Sequence, residues 1–158
     1  MLGISVDLKV DNVEKILEEM SKQVDIGLEA IGLQAEKHAI NNITSNGTVD
    51  TGLLRNSITH AVAGHSPEKQ SYTADKGSGH GSYSGTVGTE RDKAVYIGTN
   101  VEYAPYVEYG HKQEVGRYVP AIGKRLVKPH VPAKPFLKPA VADHTDEYAK
   151  ILRKALQG

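Results

Sequence analysis

The chain has 158 residues, with 19 basic and 19 acidic side chains and a formal net charge of zero. Balanced charge argues against a domain devoted to bulk nucleic-acid or membrane binding, since both functions need an excess of Lys and Arg. The absence of cysteine excludes disulfides, thiol catalysis and cysteine-ligated metals. Neither a secretory signal nor an apolar run of about 20 residues is visible, so we expect one soluble domain over residues 1–158, used without export.

The N-terminal region predicts a strand followed by a long helix. Residues 4–10 alternate between apolar and polar, which is typical of a half-buried strand. Asp11 begins a capping-box pattern, and apolar residues three and four apart predict a helix over residues 12–42. Gly27 and Gly32 inside this helix indicate a bend or a close helix contact. A helix of about 45 Å in so small a domain is expected to extend along a neighbouring subunit as well as its own sheet.

Shorter elements are predicted in the middle of the chain. Residues 51–56 can form one helical turn, and residues 57–64 resemble a second strand. Residues 93–99 form a further strand, with a hairpin partner expected near residues 85–89. Residues 104–110 have helical spacing, with a proline in the first turn and a glycine at the end.

Two long segments are predicted to be irregular. Residues 64–86 contain no Ile, Leu, Val, Met or Phe, so they are expected to form a mobile loop. Residues 111–138, here called the basic arm, are rich in Lys, Arg and Pro and are expected to be extended. A last helix starts near Pro139. The predicted fold class is therefore α+β: a small, mainly antiparallel sheet packed with a long N-terminal helix and a C-terminal helix.

Nothing in the sequence has the spacing of a catalytic, cofactor or metal site. The glycine-rich run near residue 80 lacks the Lys-Ser/Thr of a phosphate-binding loop. None of the seven histidines forms a pair with the spacing of a zinc site on one helix face, and His38 is expected to be a satisfied interior or interface side chain. Glu102, Glu108 and His111 are the remaining candidates for hydrolase chemistry, but residues six apart on a short helix do not share a face. We therefore predict no catalytic residue, no cofactor and no metal.

The charges are unevenly distributed along the neutral chain. The basic arm carries seven positive residues against one acid, Glu114, whereas residues 11–37 carry seven acids against three lysines. An acidic helix and a basic arm on one chain favour head-to-tail association into a ring. The predicted assembly contacts are Lys112, Arg117, Lys124, Arg125 and Lys128. The same side chains could instead meet DNA phosphates.

Three stretches occur together and in order: "VDTGLLRNSI" (49–58), "YIGTNVEYAPYVEYG" (96–110) and "PAKPFLKPAV" (132–141). In this combination, between a long N-terminal helix and a C-terminal one, the chain resembles the HK97 gp10-like family of tailed-phage proteins, known as tail components or tail completion proteins. The signature residues implied by this resemblance, taken as structural determinants, are Asp50, Thr51, Gly52, Leu54, Arg55, Tyr103, Ala104, Tyr106, Val107, Glu108, Gly110, Pro135, Phe136, Leu137 and Pro139.

The resemblance implies a non-enzymatic virion protein, assembled in the host bacterial cytoplasm at the neck or head-proximal end of the tail. It implies a homo-oligomeric ring, a hexamer matching the tail's symmetry, that completes the tail or joins it to the head. The implied partners are the tail terminator, the head–tail connector and the tail tube, with non-specific contact to phage DNA in the channel and no membrane. Tail terminator or head-closure protein is the alternative within this class. A nucleic-acid-binding module using the basic arm and a small hydrolase are the alternatives outside it. We further expect Glu108 to pair with Arg55, and the tyrosine rings of 96–110 to pack against the long helix.

Overall fold

The computed structural model describes residues 12–120 and 123–157. The predicted strand at 4–10 and the capping residue Asp11 lie outside the described residues. The elements in chain order are α1 (Val13–Ser45), α2 (Leu53–Ser57), β1 (Thr59–Val62), β2 (Ser71–Thr73), β3 (His80–Ser82), β4 (Val95–Gly98), α3 (Ala104–Tyr109), β5 (His111–Lys112), β6 (Tyr118–Val119), β7 (Lys124–Arg125), β8 (His130–Val131), α4 (Leu137–Ala142) and α5 (Thr145–Gln157).

Helix α1 is the longest element of the described chain, and its 33 residues give it a length of about 50 Å. Its buried residues recur at helical spacing and begin near the middle of the helix: Gly27, Leu28, Gly32, Ala35, Ala39 and Ile43. The first two turns lie beyond the core, where the apolar side chains of Ile16, Leu17 and Met20 are all more than half exposed. The long helix is thus confirmed, and its N-terminal end projects from the rest of the described chain.

The sheet at the centre of the domain is the antiparallel pair β1–β4, with Thr59 opposite Gly98 and Val62 opposite Val95. All four residues of β1 are buried, so this strand is covered on both faces. The predicted strands at 57–64 and 93–99 are confirmed, but the expected hairpin partner at 85–89 is wrong. β4 instead pairs with the distant β1, because burying that strand outweighs the entropic cost of closing the longer loop.

The two glycines of α1 lie at close contacts with neighbouring elements, which is one of the two expected roles. A Cβ on Gly27 would lie 2.8 Å from Cδ1 of Leu152 in α5. A Cβ on Gly32 would lie only 2.2 Å from Cδ2 of His60 in β1. Both distances are shorter than a real Cβ contact, so the absence of a side chain lets α5 and β1 approach the helix axis.

Residues 64–86, predicted as an irregular loop, contain the short antiparallel hairpin β2–β3. Tyr72 is buried in the core, and its hydroxyl donates to Oδ1 of Asn100 at 2.5 Å. Tyr83 also packs against the core and donates to the backbone oxygen of Ser57. The prediction of an irregular segment is therefore wrong, because two tyrosines replace the missing aliphatic anchors. Its mobility stays a prediction.

The basic arm is folded back on itself. β5 pairs with β8, and β6 pairs with β7 inside that outer ladder, so the chain leaves the core, turns near Gly123 and returns. The backbone is extended within each of the four short strands, as expected, but their pairing was not predicted. The expectation of an extended backbone is wrong for Lys138, which lies inside α4 although it precedes Pro139.

The C-terminal region forms two helices where one was predicted, with a break at Asp143 and His144. α4 buries Ala140 beside Phe136 in the main core, and α5 packs along α1. The core cluster joins α1, α2, α3, α4 and the β2 tyrosine: Ala39, Ile43, Leu54, Ile58, Tyr72, Val101, Ala104, Phe136 and Ala140. A long N-terminal helix, a C-terminal helix and small antiparallel ladders confirm the predicted α+β class.

Candidate functional site: a signature junction and the basic arm

The carboxylate of Glu108 joins α3 to the start of α4. It accepts three backbone N–H groups, from Phe136 at 2.7 Å, Leu137 at 3.0 Å and Lys138 at 2.9 Å. These are N–H groups that the first turn of α4 leaves without intrahelical partners, and a negative charge is favourable at that end of a helix. Glu108 therefore caps α4 from another element, at a buried position. We call this arrangement of 104–110 against 132–141 the signature junction.

Backbone contacts close the signature junction on both sides of the cap. The N–H of Lys134 donates to the oxygen of Val107 at 2.8 Å. Gly110 has a φ of +70°, and a Cβ there would lie 2.6 Å from the oxygen of Val131. A glycine is required because it adopts this φ without strain and leaves room for the returning strand.

The end of α1 holds the same segment from the other side. Asn42 donates through its amide to the oxygen of Phe136 at 3.1 Å, and Asn46 to the oxygen of Pro135 at 2.9 Å. The Lys134 ammonium donates in return to the oxygen of Asn46 at 2.8 Å. The segment 132–141 is thus tied by hydrogen bonds to both α3 and α1.

The first signature stretch, 49–58, holds the β2–β3 hairpin rather than the signature junction. Arg55 forms an ion pair with Asp75, and Asn56 donates to Oδ1 of Asp75 at 2.8 Å. The expected pair of Arg55 with Glu108 is therefore wrong. Arg55 and Glu108 each bind other groups. That two residues both belong to the signature stretches does not indicate that they contact each other.

Depth divides the signature residues into three groups. The buried ones are Gly52, Leu54, Ala104, Glu108 and Phe136. The half-buried ones are Thr51, Arg55, Val107, Gly110, Leu137 and Pro139. The exposed ones are Asp50, Tyr103, Tyr106 and Pro135. The tyrosines of 96–110 are exposed by 42% to 77%, so the expectation that their rings pack against the long helix is wrong.

A buried histidine that the sequence analysis left unassigned links α1 to the sheet. His60 is fully buried, with Nδ1 2.9 Å from Oε2 of Glu36 and Nε2 3.1 Å from Oε1 of Glu29. Burial opposes the charged imidazole, but the hydrogen bonds to Glu36 and Glu29 outweigh it and raise the pKa of His60. For Glu36, burial is likewise outweighed, by the hydrogen bond from His60 and the charge of Lys69, and its pKa is lowered. His60, Glu29 and Glu36, here called the His60 clamp, thus form a charged group that joins α1 to β1.

The predicted assembly contacts all lie on the exposed surface of the basic arm: Lys112, Arg117, Lys124, Arg125 and Lys128. Arg125 donates to the oxygen of Gly116 at 2.7 Å and lies over the ring of Tyr118. Within residues 12–120 and 123–157, none of the five forms a salt bridge with an acid of its own chain. The arm therefore presents a set of positive charges that form no salt bridge with the described acidic side chains.

Several of the acids counted as the counterpart of the basic arm are used within the chain. Glu18 pairs with Lys22, Asp25 with Lys93, and both Glu29 and Glu36 with His60. Among the described residues, the exposed acids near the start of α1 that have no salt bridge are Glu14 and Glu19. The acidic surface is thus narrower than the sequence indicated and is concentrated at the projecting end of α1.

The hydrolase residues are not arranged for catalysis. Both oxygens of Glu108 accept backbone N–H groups, which leaves it committed to a helix cap. Glu102 is exposed, and Nδ1 of His111 is buried with no hydrogen-bond partner in the described part of the chain. A general acid or base needs a free proton-accepting atom beside the substrate, which a saturated carboxylate does not offer.

Among the described residues, the fold brings a histidine of α1 next to a histidine and a glutamate at the start of α5, a group that could ligate a metal ion. Atoms of His38, His144 and Glu147 lie within 4.8 Å of one another. Separation by more than 100 residues hides this group from any argument based on local spacing. It lies on the opposite flank of α1 from the sheet, between that helix and the start of α5.

The geometry defines a small α+β domain with a hydrogen-bonded signature junction and a projecting, positively charged arm. A family model described as HK97-gp10-like, "Bacteriophage HK97-gp10, putative tail-component", matches residues 10–110, well over half of the chain. The chain therefore belongs to this family of bacteriophage tail components. The third stretch, 132–141, lies beyond the matched residues, and the Glu108 cap ties it to the second stretch, 96–110.

No curated protein and no solved structure gives a significant match to the chain. In the described part of the chain, none of the helices combines the length and apolar character needed to cross a bilayer. Family membership makes the protein a phage tail component, a part of the virion that contacts other tail proteins.

Proposed function

We propose that this tail component acts at the neck or head-proximal end of the tail, as a non-enzymatic tail completion or head–tail joining protein assembled into a hexameric ring. The observation that carries the proposal is the basic arm of this family member, which exposes five positively charged side chains on its paired strands and their connections. Among the described residues, none of the five has an acidic partner. Charges kept unpaired on a projecting element are suited to a partner surface.

The proposed ring contact joins the basic arm of one copy to the projecting end of α1 of the next. That end offers Glu14 and Glu19 for the cations, beside the exposed apolar side chains of Ile16, Leu17 and Met20. A contact between two different surfaces of the same chain is heterologous, and it closes into a ring when the rotation between copies allows. The tail terminator, head–tail connector and tail tube are the proposed partners above and below this ring.

Gold labelling of a tagged copy in intact virions tests the location. We expect label where the tail meets the head, and particles lacking the protein should accumulate as separate heads and tails. Label at the distal tip, or normal joining without the protein, would refute the proposal. Label at the last tube ring only, or inside the head portal, would assign the terminator or closure role instead.

A nucleic-acid role is the second candidate, favoured by the same unpaired cations. DNA passing through a ring could meet the arms through its phosphates without sequence readout. A gel shift by the isolated protein that weakens steeply with salt would support this role. Binding that is absent at 50 mM salt would leave protein partners as the function of the arm.

A further inference from the structure

A cluster of two histidines and one glutamate lies between α1 and the start of α5. Nε2 of His38 is 2.9 Å from Oε2 of Glu147, and Nδ1 of His144 is 3.5 Å from the same oxygen. The first contact is a hydrogen bond, which a metal ion bound between the two atoms would replace. The second is close to the roughly 3.3 Å that separates two ligands about 2.0–2.2 Å from a tetrahedral zinc ion.

The two histidine rings also lie together. The rings of His38 and His144 are stacked, with centroids 3.4 Å apart and planes 8° from parallel. The stack places a histidine of α1 directly beside the histidine that precedes α5.

The surroundings support the three ligands without blocking access. The amide of Gln34, one turn before His38 on α1, donates to the other carboxylate oxygen of Glu147 at 2.8 Å, which orients it. The ring of Tyr148 flanks both histidines at about 6 Å and gives the site an apolar side. The His144 side chain is 33% exposed, against 17% for His38, so the cluster is reached by solvent from the His144 side.

We propose that His38, His144 and Glu147 form a binding site for a divalent transition-metal ion, Zn²⁺ being the best fit. Two nitrogens and one oxygen with an open fourth position suit this ion, whereas Mg²⁺ and Ca²⁺ prefer oxygen-only ligands. Binding turns the more exposed ring, that of His144, out of the stack so that both nitrogen lone pairs converge. The ion would then tie α1 to α5, an outcome independent of where the protein lies in the virion.

Titration of the full-length protein with Zn²⁺ by calorimetry tests the site. We expect one ion per chain, a rise in Tm with added Zn²⁺, and visible d–d absorption when Co²⁺ replaces it. His144→Ala should weaken binding by at least about tenfold and abolish the Tm rise. Gln34→Ala should weaken binding by about tenfold through loss of carboxylate orientation.

Two other histidines provide matched controls, since both are exposed and lie far from the site. His80→Ala in β3 and His130→Ala in β8 should bind Zn²⁺ as the unmodified chain does. If His144→Ala loses its helical circular dichroism and is therefore unfolded, Glu147→Gln tests the site instead, because it removes the charge of the ligand and keeps the size of the side chain. Binding unchanged in both His144→Ala and Glu147→Gln, or no binding by the unmodified chain at millimolar Zn²⁺, would overturn the proposal.

Discussion

Glu108 is the single side chain on which the signature junction depends. Its carboxylate satisfies three N–H groups at the start of α4, and Phe136, which supplies the first, is fully buried. Glu108→Ala leaves these donors without partners, so we expect the free energy of unfolding to fall by about 3 kcal/mol. Urea denaturation followed by circular dichroism measures this loss.

Glu102→Ala is the matched control for that substitution, because it removes an exposed carboxylate six residues away. Its effect should stay within about 0.5 kcal/mol. Equal losses for the two variants would show that the cap contributes nothing.

His60 makes stability depend on pH in a defined direction. Its folded pKa is raised, so its contribution is complete below its ordinary pKa of 6.5 and is lost as pH rises through the folded value. Glu36 has a lowered folded pKa, so its contribution is present above its ordinary pKa of 4.5 and is lost on acidification. Stability should therefore be greatest between these two ordinary values.

Urea unfolding from pH 4 to 9 checks this profile. His60→Gln should lower stability by about 3 kcal/mol at pH 6, since it removes one partner of a buried ion pair, and should flatten the alkaline limb. His80→Gln, an exposed histidine, should leave the profile unchanged. An alkaline decline that persists in His60→Gln would assign it to another group.

Gly32 is predicted to tolerate alanine poorly although alanine favours helices. The added Cβ would meet the His60 ring, which cannot withdraw because Glu29 and Glu36 hold both of its nitrogens. Overpacking of this kind costs about 1–3 kcal/mol, more than the roughly 1 kcal/mol gained in helix propensity.

The companion variant Gly27→Ala meets a terminal methyl of Leu152, which can move, so its effect should be smaller. Thermal unfolding of both variants gives the order. A Gly32→Ala protein as stable as the unmodified chain would show that β1 can shift away from α1.

Among the elements, the basic arm and the β2–β3 hairpin are expected to differ in how well their backbone amides are protected from hydrogen exchange. The hairpin is anchored by Tyr72 in the core, whereas the four strands of the arm bury no residue completely. Few buried apolar contacts mean low local stability. We expect amides of 111–131 to exchange rapidly in the isolated chain and to become protected on assembly, with those of β2 protected throughout.

Hydrogen exchange with mass spectrometry on the isolated and the assembled protein measures both segments. Equal protection of the arm in the two states would refute ordering on assembly. Rapid exchange of β2 in the isolated chain would instead support the mobility predicted for residues 64–86.

For the whole molecule, the proposed ring contact pairs opposite charges, so assembly should weaken as salt rises. Lys124→Glu with Lys128→Glu should abolish assembly at 0.15 M salt without lowering the Tm of the isolated chain, because both side chains are exposed. Light scattering coupled to size-exclusion chromatography reports the mass. A reversal of Glu14 and Glu19 to lysine in the same chain should restore the ring.

Salt-insensitive monomers, or rings unaffected by the double reversal, would remove the charged contact from the proposal. Lys93→Glu is the control, since it changes a lysine that already pairs with Asp25 within its own chain. It should leave the oligomeric mass unchanged.

Sequence alone determined the elements whose signal is local. The apolar spacing of α1, the β-branched and aromatic residues of β1 and β4, and the Pro and Gly that bound α3 are all visible within a few residues, and each was predicted close to its observed position. The family was identified in the same way, from three short ordered stretches. The helices and strands could be predicted because their patterns depend on the spacing of residues within one or two turns, which can be read directly from the sequence.

Only the tertiary structure decided which distant residues meet. The Glu108 cap, the His60 clamp and the contact of His38 with Glu147 all join positions 24 to 109 residues apart. Hydrogen bonds and ion pairs act over about 3 Å, so small differences in packing select one partner among several of the same chemistry. Arg55 shows this most clearly, since it pairs with Asp75 rather than with the glutamate of the neighbouring signature stretch.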